Sequence, residues 1–304
     1  YRKCISVIYH FSHDYKLLDY EIKLTNVYII KNLSYDNAEL YIKNKNKDYS
    51  YLVDLWNFMT QYDTSVTDTH ILIEKLMVLT NHKIASTLYN YDKDNTLLRI
   101  HPSPSIINTI DNKITDNKLQ EFLKLKNYHA AIYEKNVITP YHYGLDLNIY
   151  THFTSPIRRL SDIITHINVK KYLEKQPLLD TKNMEISHIN EVNKSTKKLS
   201  FDYKIIDLLY KFKTVSMYKC EAYIINFTKN KFTLYISEFN IEYKIKYYND
   251  SLDNLYSILE ADDYLEIKYE NKIKKYTKME KINIEMYFVK DADILEDKIK
   301  IKII

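Results

Sequence analysis

The stretch that decides how this chain reads is His142-Tyr143-Gly144-Leu145-Asp146-Leu147-Asn148-Ile149-Tyr150-Thr151-His152-Phe153-Thr154-Ser155-Pro156-Ile157-Arg158-Arg159, continuing through Asp162 to His166. Its first half reads as a loop around the only glycine in 304 residues. Its second half runs into a helical pattern expected from about Ile157 to Leu173. Thr154-Ser155-Pro156 stands at the expected start of that helix, and two arginines follow at once. Hydroxyls, the free N–H groups of a helix start and guanidinium forks are all groups that hold phosphate. On chemistry alone the segment is either a phosphate-binding helix start or a capped surface helix with solvated arginines. With one glycine, turns must rely on Asn, Asp or Pro, and Gly144 is expected where a side chain cannot fit.

Outward from this segment the period of the sequence changes twice. Residues 4–31 alternate apolar and polar positions (Ile5, Val7, Tyr9; Tyr20, Ile22, Leu24; Val27, Ile29), which predicts two or three strands turning near Ser12-His13-Asp14. A short helix is expected over 34–43, capped by Ser34, and a longer one from an Asp68 cap to about Leu88. His101-Pro102-Ser103-Pro104 breaks the chain into a loop. Helices are expected at 105–112, 116–126 and 127–134, and a long one at roughly 184–212. After Lys213 the period becomes that of strands: 218–227, 232–236, 241–248, 282–289 and 299–304. Five short strands with turns such as Thr228-Lys229-Asn230 predict a small OB-type barrel. The fold class is therefore α+β, with a strand-and-helix domain over 1–213 and a barrel over 217–304.

Composition sets limits on function. The chain is 45% hydrophobic and 28% charged, which fits a globular protein of two domains and not a disordered one. No run approaches the roughly 18 apolar residues of a membrane span. A net charge of +4 means that any nucleic-acid site must be a local basic patch. The 31 tyrosines, with abundant Lys, Asn and Ile, are what AT-rich coding produces, so only individually placed tyrosines count towards base stacking. Cys4 and Cys220 form no motif and read as reduced thiols of an intracellular protein. His142, His152 and His166 match no zinc spacing and read as loop and core residues. The chain opens at Tyr1 inside a strand-like run, with no signal peptide visible, so an upstream segment is expected.

H-Y-G-L followed by Y-T-H-F-T-S-P-I-R-R, with Asp162 and His166, resembles the signature of the RNase II superfamily (RNB-domain exoribonucleases). The branch it is most similar to contains the catalytic subunit of the eukaryotic exosome. Three further stretches resemble the family in order: Ser34 to Glu39 (T-Y-x-x-A-Q), Ile73 to Asn81 (V-E-E-F-M-L-L-A-N) and Leu97 to Pro102 (L-L-R-x-H-P). The resemblance implies the C-terminal part of an RNB-type catalytic domain followed by an RNA-binding OB-fold. It implies hydrolysis of single-stranded RNA from the 3′ end to nucleoside 5′-monophosphates, with Mg²⁺ activating water. Arg158 takes the place of the arginine that clamps the scissile phosphate. Arg159 and Ser155 would add phosphate or structural contacts, His152 would lie close to RNA, and Tyr35 and Glu74 would read the terminal ribose.

The family's metal cluster, D-x5-D-x-D-D, precedes the first strand seen here and has no counterpart in this chain. The Mg²⁺ ligands are expected upstream, and Asp262-Asp263 is the only pair of adjacent aspartates. The chain is then a fragment, one piece of a split enzyme, or inactive. Lys75, Leu160 and Ile167 depart from the family pattern, and 43–67 looks short, with Trp56, Phe58 and Tyr62 read as core packing. The leading expectation is an exoribonuclease with single-stranded RNA as partner and an exosome-like or split subunit as a further one. The alternatives are a non-catalytic RNA-binding subunit and a helical scaffold. No membrane partner is expected.

Overall fold

The structure, a computed structural model, describes residues 1–104, 114–126, 129–180, 185–228, 231–246, 256–260, 264–269, 272–289 and 295–304. Backbone packing divides the chain into two compact units: residues 1–103 with 129–190, and residues 104–128 with 191–304.

In the first unit, β1 (Arg2–Phe11) and β2 (Leu17–Val27) form one antiparallel hairpin, pairing Ile5 with Leu24 and Val7 with Ile22. The alternating stretch thus makes two strands. Its turn closes from Ser12 N to Lys16 O at 2.9 Å, with Tyr15 left-handed. Period-two alternation puts Ile5, Val7 and Ile22 on one face, where they meet the buried Ile84, Leu88, Phe153 and Val169. Full burial of side chains of this size is worth about 1.5–3 kcal/mol each; these three are half-buried and contribute less, but a one-residue slip would turn all three to solvent, which fixes the hairpin's register.

Both helix caps fall on the expected residues. Ser34 accepts the Asn37 N–H at the start of α1 (Tyr35–Lys43), and Asp68 accepts those of His70 and Ile71 at the start of α3 (Thr69–Tyr91). Between them lies α2 (Ser50–Tyr62), whose Trp56, Phe58 and Tyr62 pack around Met59, Val66 and Leu72. β3 (Leu98–Ile100) pairs with β4 (Ile132–Glu134), so the described part of the helix expected at 127–134, residues 129–134, is not helical. The Tyr133 backbone is drawn into the ladder opposite Arg99 and is clasped on its other edge by the Asn190 amide. The helix expected at 105–112 lies outside the described residues. α5 (Leu160–Leu173) starts about three residues later than expected, because 154–159 is held as a turn.

The second unit contains α4 (Asn117–Lys126) and most of α6 (Ile186–Lys211). Its main sheet runs β12-β11-β5-β6-β7, antiparallel throughout, using β5 (Met217–Thr228), β6 (Lys231–Ile236), β7 (Ile241–Lys246), β11 (Lys281–Phe288) and β12 (Ile299–Ile303). All five strands lie where the period change placed them. The sheet curls as a half-barrel around Ile224, Phe232, Leu234, Ile284 and Met286, and Ile205 and Leu208 of α6 join this core. A second antiparallel sheet, β8 (Tyr256–Glu260), β9 (Tyr264–Tyr269) and β10 (Lys272–Thr277), was not expected. Lysines interrupt the alternation there, as in Ile273-Lys274-Lys275-Tyr276. Asp262-Asp263 and the 229–230 turn lie outside the described residues. The whole is a mixed α+β fold.

Left-handed backbone falls on Asn136, Asp146 and Asn240, as a glycine-poor chain requires, but also on Tyr15, Lys45, Lys175 and Met279. Gly144 is not left-handed. It is there for space: a Cβ would sit 2.7 Å from His101 Nδ1, which accepts the Gly144 N–H at 3.0 Å.

Candidate functional site

The segment 149–162 is held from beneath by the first unit's core. Thr151, fully buried, donates to Leu97 O at 2.7 Å, and Arg99 N donates to Tyr150 O at 2.8 Å. Asn81, near the middle of α3 and 2% exposed, secures the bend: its amide donates to the Tyr150 hydroxyl, and its Oδ1 accepts from Phe153 N and Thr154 N. His166 of α5 contacts Phe153 O at 2.8 Å and stacks on the Phe153 ring. A buried asparagine inside a helix serves such a purpose, because its amide can supply both a donor and an acceptor to a passing loop.

Asp162 shapes the turn that follows. Its carboxylate is fully buried in the first turn of α5, where it accepts from Ser155 N at 2.7 Å and Arg159 Nη2 at 2.9 Å. Arg159 Nε lies 2.8 Å from its other oxygen. The helix start is therefore filled by the chain's own carboxylate, and Arg159 is a tied residue before the helix. Arg158 is the opposite case. It is exposed, and its guanidinium has no partner among the described residues, beside a fully exposed Ile157. Of the two arginines, Arg158 is the one free to meet an anion.

His152 belongs to a polar network under this turn. Its Nδ1 meets the Tyr133 hydroxyl, and Ser161 Oγ lies 2.7 Å from that hydroxyl and 3.2 Å from Asp162 Oδ2. Arg99 lays its guanidinium on the Tyr133 ring at 4.5 Å. Burial, reinforced by Arg159, holds the His152 imidazole down to about 3, and burial with His101 nearby brings His142 to about 4. Both rings are neutral near pH 7 and add no positive charge to the network. A cavity of about 830 Å³ opens on the hairpin side of the turn, lined by Thr154, Pro156, His166 and Lys170 with Cys4 and Thr25.

Tyr35 and Glu74 stand apart from that network; no hydrogen bond or ring contact joins them to it among the described residues. Tyr35 opens α1, 44% exposed, with its ring stacked on His70 at 3.8 Å. Thr69 fastens α1 to α3, donating its hydroxyl to Tyr35 O and its N–H to Glu39. Glu74, one turn beyond His70, is exposed and carries no ion pair among the described residues. Lys75 is committed to Asp63 at 2.9 Å, and hydrogen bonds from Ser65 and Lys75 hold that carboxyl down to about 2.

The structure thus joins Ser155, Arg159 and His152 through Asp162, Ser161 and Tyr133. Sequence reasoning gave no role to Asn81, Tyr133 or Arg99. Asn81 was legible as a polar residue on an apolar helix; Tyr133 carried no signal, because its partners are far away in sequence. Among the described residues no group of three or more His, Cys, Asp or Glu could hold a metal ion. Asp162 is consumed by Arg159 and Ser155, so the residues present do not fit a hard cation.

Residues 51–175 match the model of the RNB domain, and the chain carries an RNB domain of the RNase II/R superfamily, distantly homologous to the exosome nucleases. It is 27% identical over 254 residues to DIS3-like exonuclease 2 of Schizosaccharomyces pombe, covering 66% of this chain and 26% of that protein. It is 25% identical over 274 residues to exosome complex exonuclease dis3 of the same yeast, covering 72% and 27%. The chain thus spans about a quarter of the length of these relatives. Among solved structures, the apo form of Mycoplasma genitalium RNase R superposes with a TM-score of 0.72 at 17% identity, covering 100% of this chain and 58% of that one. The same RNase R in complex with ribose-methylated single-stranded RNA gives 0.70. Yeast Ssd1, a pseudonuclease, gives 0.67 at 14% identity, covering 98% and 56%. The three superpositions speak for the fold.

Proposed function

We propose that this chain is the RNA-holding portion of a 3′→5′ hydrolytic exoribonuclease that shortens single-stranded RNA to nucleoside 5′-monophosphates. The observation that carries the reading is the pair of arginines after Ser155-Pro156: Arg159 locked to a buried carboxylate, Arg158 solvent-facing and unpaired among the described residues. A locked neighbour holds the backbone of the turn, so meeting phosphate would order only the Arg158 side chain. Its two-pronged donor set would neutralise charge growing on the phosphate oxygens during cleavage. Ser155 and His152 line the same turn. Tyr35 and Glu74 would bond the 2′-hydroxyl of the terminal ribose and favour RNA over DNA. Residues 217–304, read as an OB-type domain, would hold the strand upstream by charge and stacking. Magnesium, as in the family generally, would supply the activated water when bound to ligands outside these residues. Intracellular residence and an exosome-like or split-subunit partner belong to the same proposal.

A second reading, a non-catalytic RNA binder, draws on the described residues' lack of a metal cluster and on the likeness to a pseudonuclease fold. Incubating 3′-labelled single-stranded RNA, with Mg²⁺ or with EDTA, with the 304-residue chain alone and with a longer protein that supplies the family's metal-ligand segment separates the two. The 304-residue chain should bind the RNA and leave it intact under both readings. Mg²⁺-dependent release of mononucleotides once the metal-ligand segment is supplied supports the nuclease, and RNA still bound but intact supports the binder. Failure to bind RNA removes both.

A further inference from the structure

Resting on the reading of Tyr35 and Glu74 as ribose-sensing residues, we infer that His70 is the positioning residue that makes them one site. Tyr35 begins one helix and Glu74 lies in the second turn of another, so nothing in the chain's connectivity brings them together. His70 does. Its ring lies flat against Tyr35, with centroids 3.8 Å apart and planes 21° apart. It also precedes Glu74 by four residues on the same face of α3, where side chains are neighbours. Helical side chains lean toward the N-terminus, so the Glu74 carboxylate leans over the turn that carries His70 and, on it, the Tyr35 ring.

The local backbone supports this arrangement. Asp68 caps the first turn of α3 at His70 N, and Thr69 donates to Tyr35 O, so the residues on either side of the stack are tied to one another. Tyr35 remains 44% exposed, and Glu74 keeps an unpaired carboxylate among the described residues. An exposed phenol would swing freely on its own χ angles; a flat neighbour removes that freedom. Two polar groups converging on an open face suit a vicinal diol, with the carboxylate accepting from one hydroxyl and the phenol from the other. His70 itself need not touch the sugar. It supplies a surface.

The test compares binding of the 304-residue chain to two single-stranded oligoribonucleotides that differ only at the 3′-terminal sugar, one ribose and one 2′-deoxyribose. Fluorescence anisotropy gives the ratio of the two Kd values, expected at about five- to tenfold for one well-made hydrogen bond. His70→Ala is expected to bring the ratio close to one by weakening the ribose-terminated oligomer alone. His70→Phe, which keeps a flat ring, is expected to preserve it, and His70→Leu, which keeps bulk without flatness, to lose most of it. A full ratio in His70→Ala, or loss in His70→Phe, would overturn the positioning role while leaving the ribose reading intact. A ratio of one in the wild type, unchanged by Tyr35→Phe and Glu74→Gln, would instead remove the ribose reading itself, and this inference with it.

Discussion

Replacing Asp162 by alanine should strip the candidate site of its rigidity, and the structure sets the size of the effect. The carboxylate has no solvent exposure, and it accepts from Ser155 N at 2.7 Å and Arg159 Nη2 at 2.9 Å while contacting Arg159 Nε at 2.8 Å. Removing one partner of a buried ion pair costs about 3–5 kcal/mol, because the other charge is left uncompensated. The Arg159 side chain keeps 21% of its surface in water, which places the expected loss near the lower end, about 3 kcal/mol. For a domain of this size that is roughly 6–12 °C in Tm. Asp162→Asn, which retains an acceptor for Ser155 N, should lose about half as much. Thermal unfolding followed by near-UV circular dichroism reads both variants. The double variant Asp162→Asn/Arg159→Gln should recover at least 1 kcal/mol relative to the sum of the singles, since directly paired residues couple. A drop below about 0.5 kcal/mol for Asp162→Ala, or strict additivity of the pair, would show that the buried clamp does not hold the turn.

Three further outcomes follow from the same geometry. Asn81→Leu loses three hydrogen bonds and leaves buried partners unsatisfied, so urea denaturation should show about 3 kcal/mol less stability; a loss under 1 kcal/mol would mean that the 150–154 bend does not depend on it. Gly144→Ala forces a methyl group to 2.7 Å from His101 Nδ1 and should cost about 1–3 kcal/mol, with His101→Ala restoring most of it; no rescue would move the strain elsewhere. His152 is held neutral in the fold, down to about 3, whereas unfolded histidine takes up its proton near 6.5. The unfolded chain therefore binds the extra proton as pH falls through 6.5. Stability is fully present above that pH and declines by about 1.4 kcal/mol per unit towards the folded value. The unfolding midpoint should fall between pH 7 and pH 5, and less steeply in His152→Gln; equal slopes would assign the loss to other groups.

What the sequence disclosed and what it withheld divide along physical lines. Local chemistry was legible. Ser34 and Asp68 cap helices because a short polar side chain before an apolar run has few other uses, and the five strands of the half-barrel declared themselves by period. The lone glycine pointed to a crowded spot, although the crowding comes from His101, forty-three residues away, and not from backbone handedness. Tertiary decisions stayed hidden. Ile132-Tyr133 fits a helix as well as a strand until Arg99 and Asn190 claim its backbone. The later start of α5 depends on a side chain in its own first turn reaching back to Ser155. The β8–β10 sheet escaped notice because exposed lysines dilute its pattern. In the candidate site the motif marked the two arginines, but only geometry tells the tied one from the free one.

The central claim, that the Ser155-to-Arg159 turn grips RNA phosphate through Arg158, is tested most directly by the salt dependence of single-stranded RNA binding. The association constant should fall with rising salt, because each phosphate contact releases counterions, at a slope of about 0.7 in log K against log salt for each phosphate neutralised on a single strand. Arg158→Ala should weaken binding and make that slope shallower by about one such increment, with thermal stability unchanged because Arg158 has no partner to lose among the described residues. Binding with the same affinity and the same slope in wild type and Arg158→Ala would contradict the account.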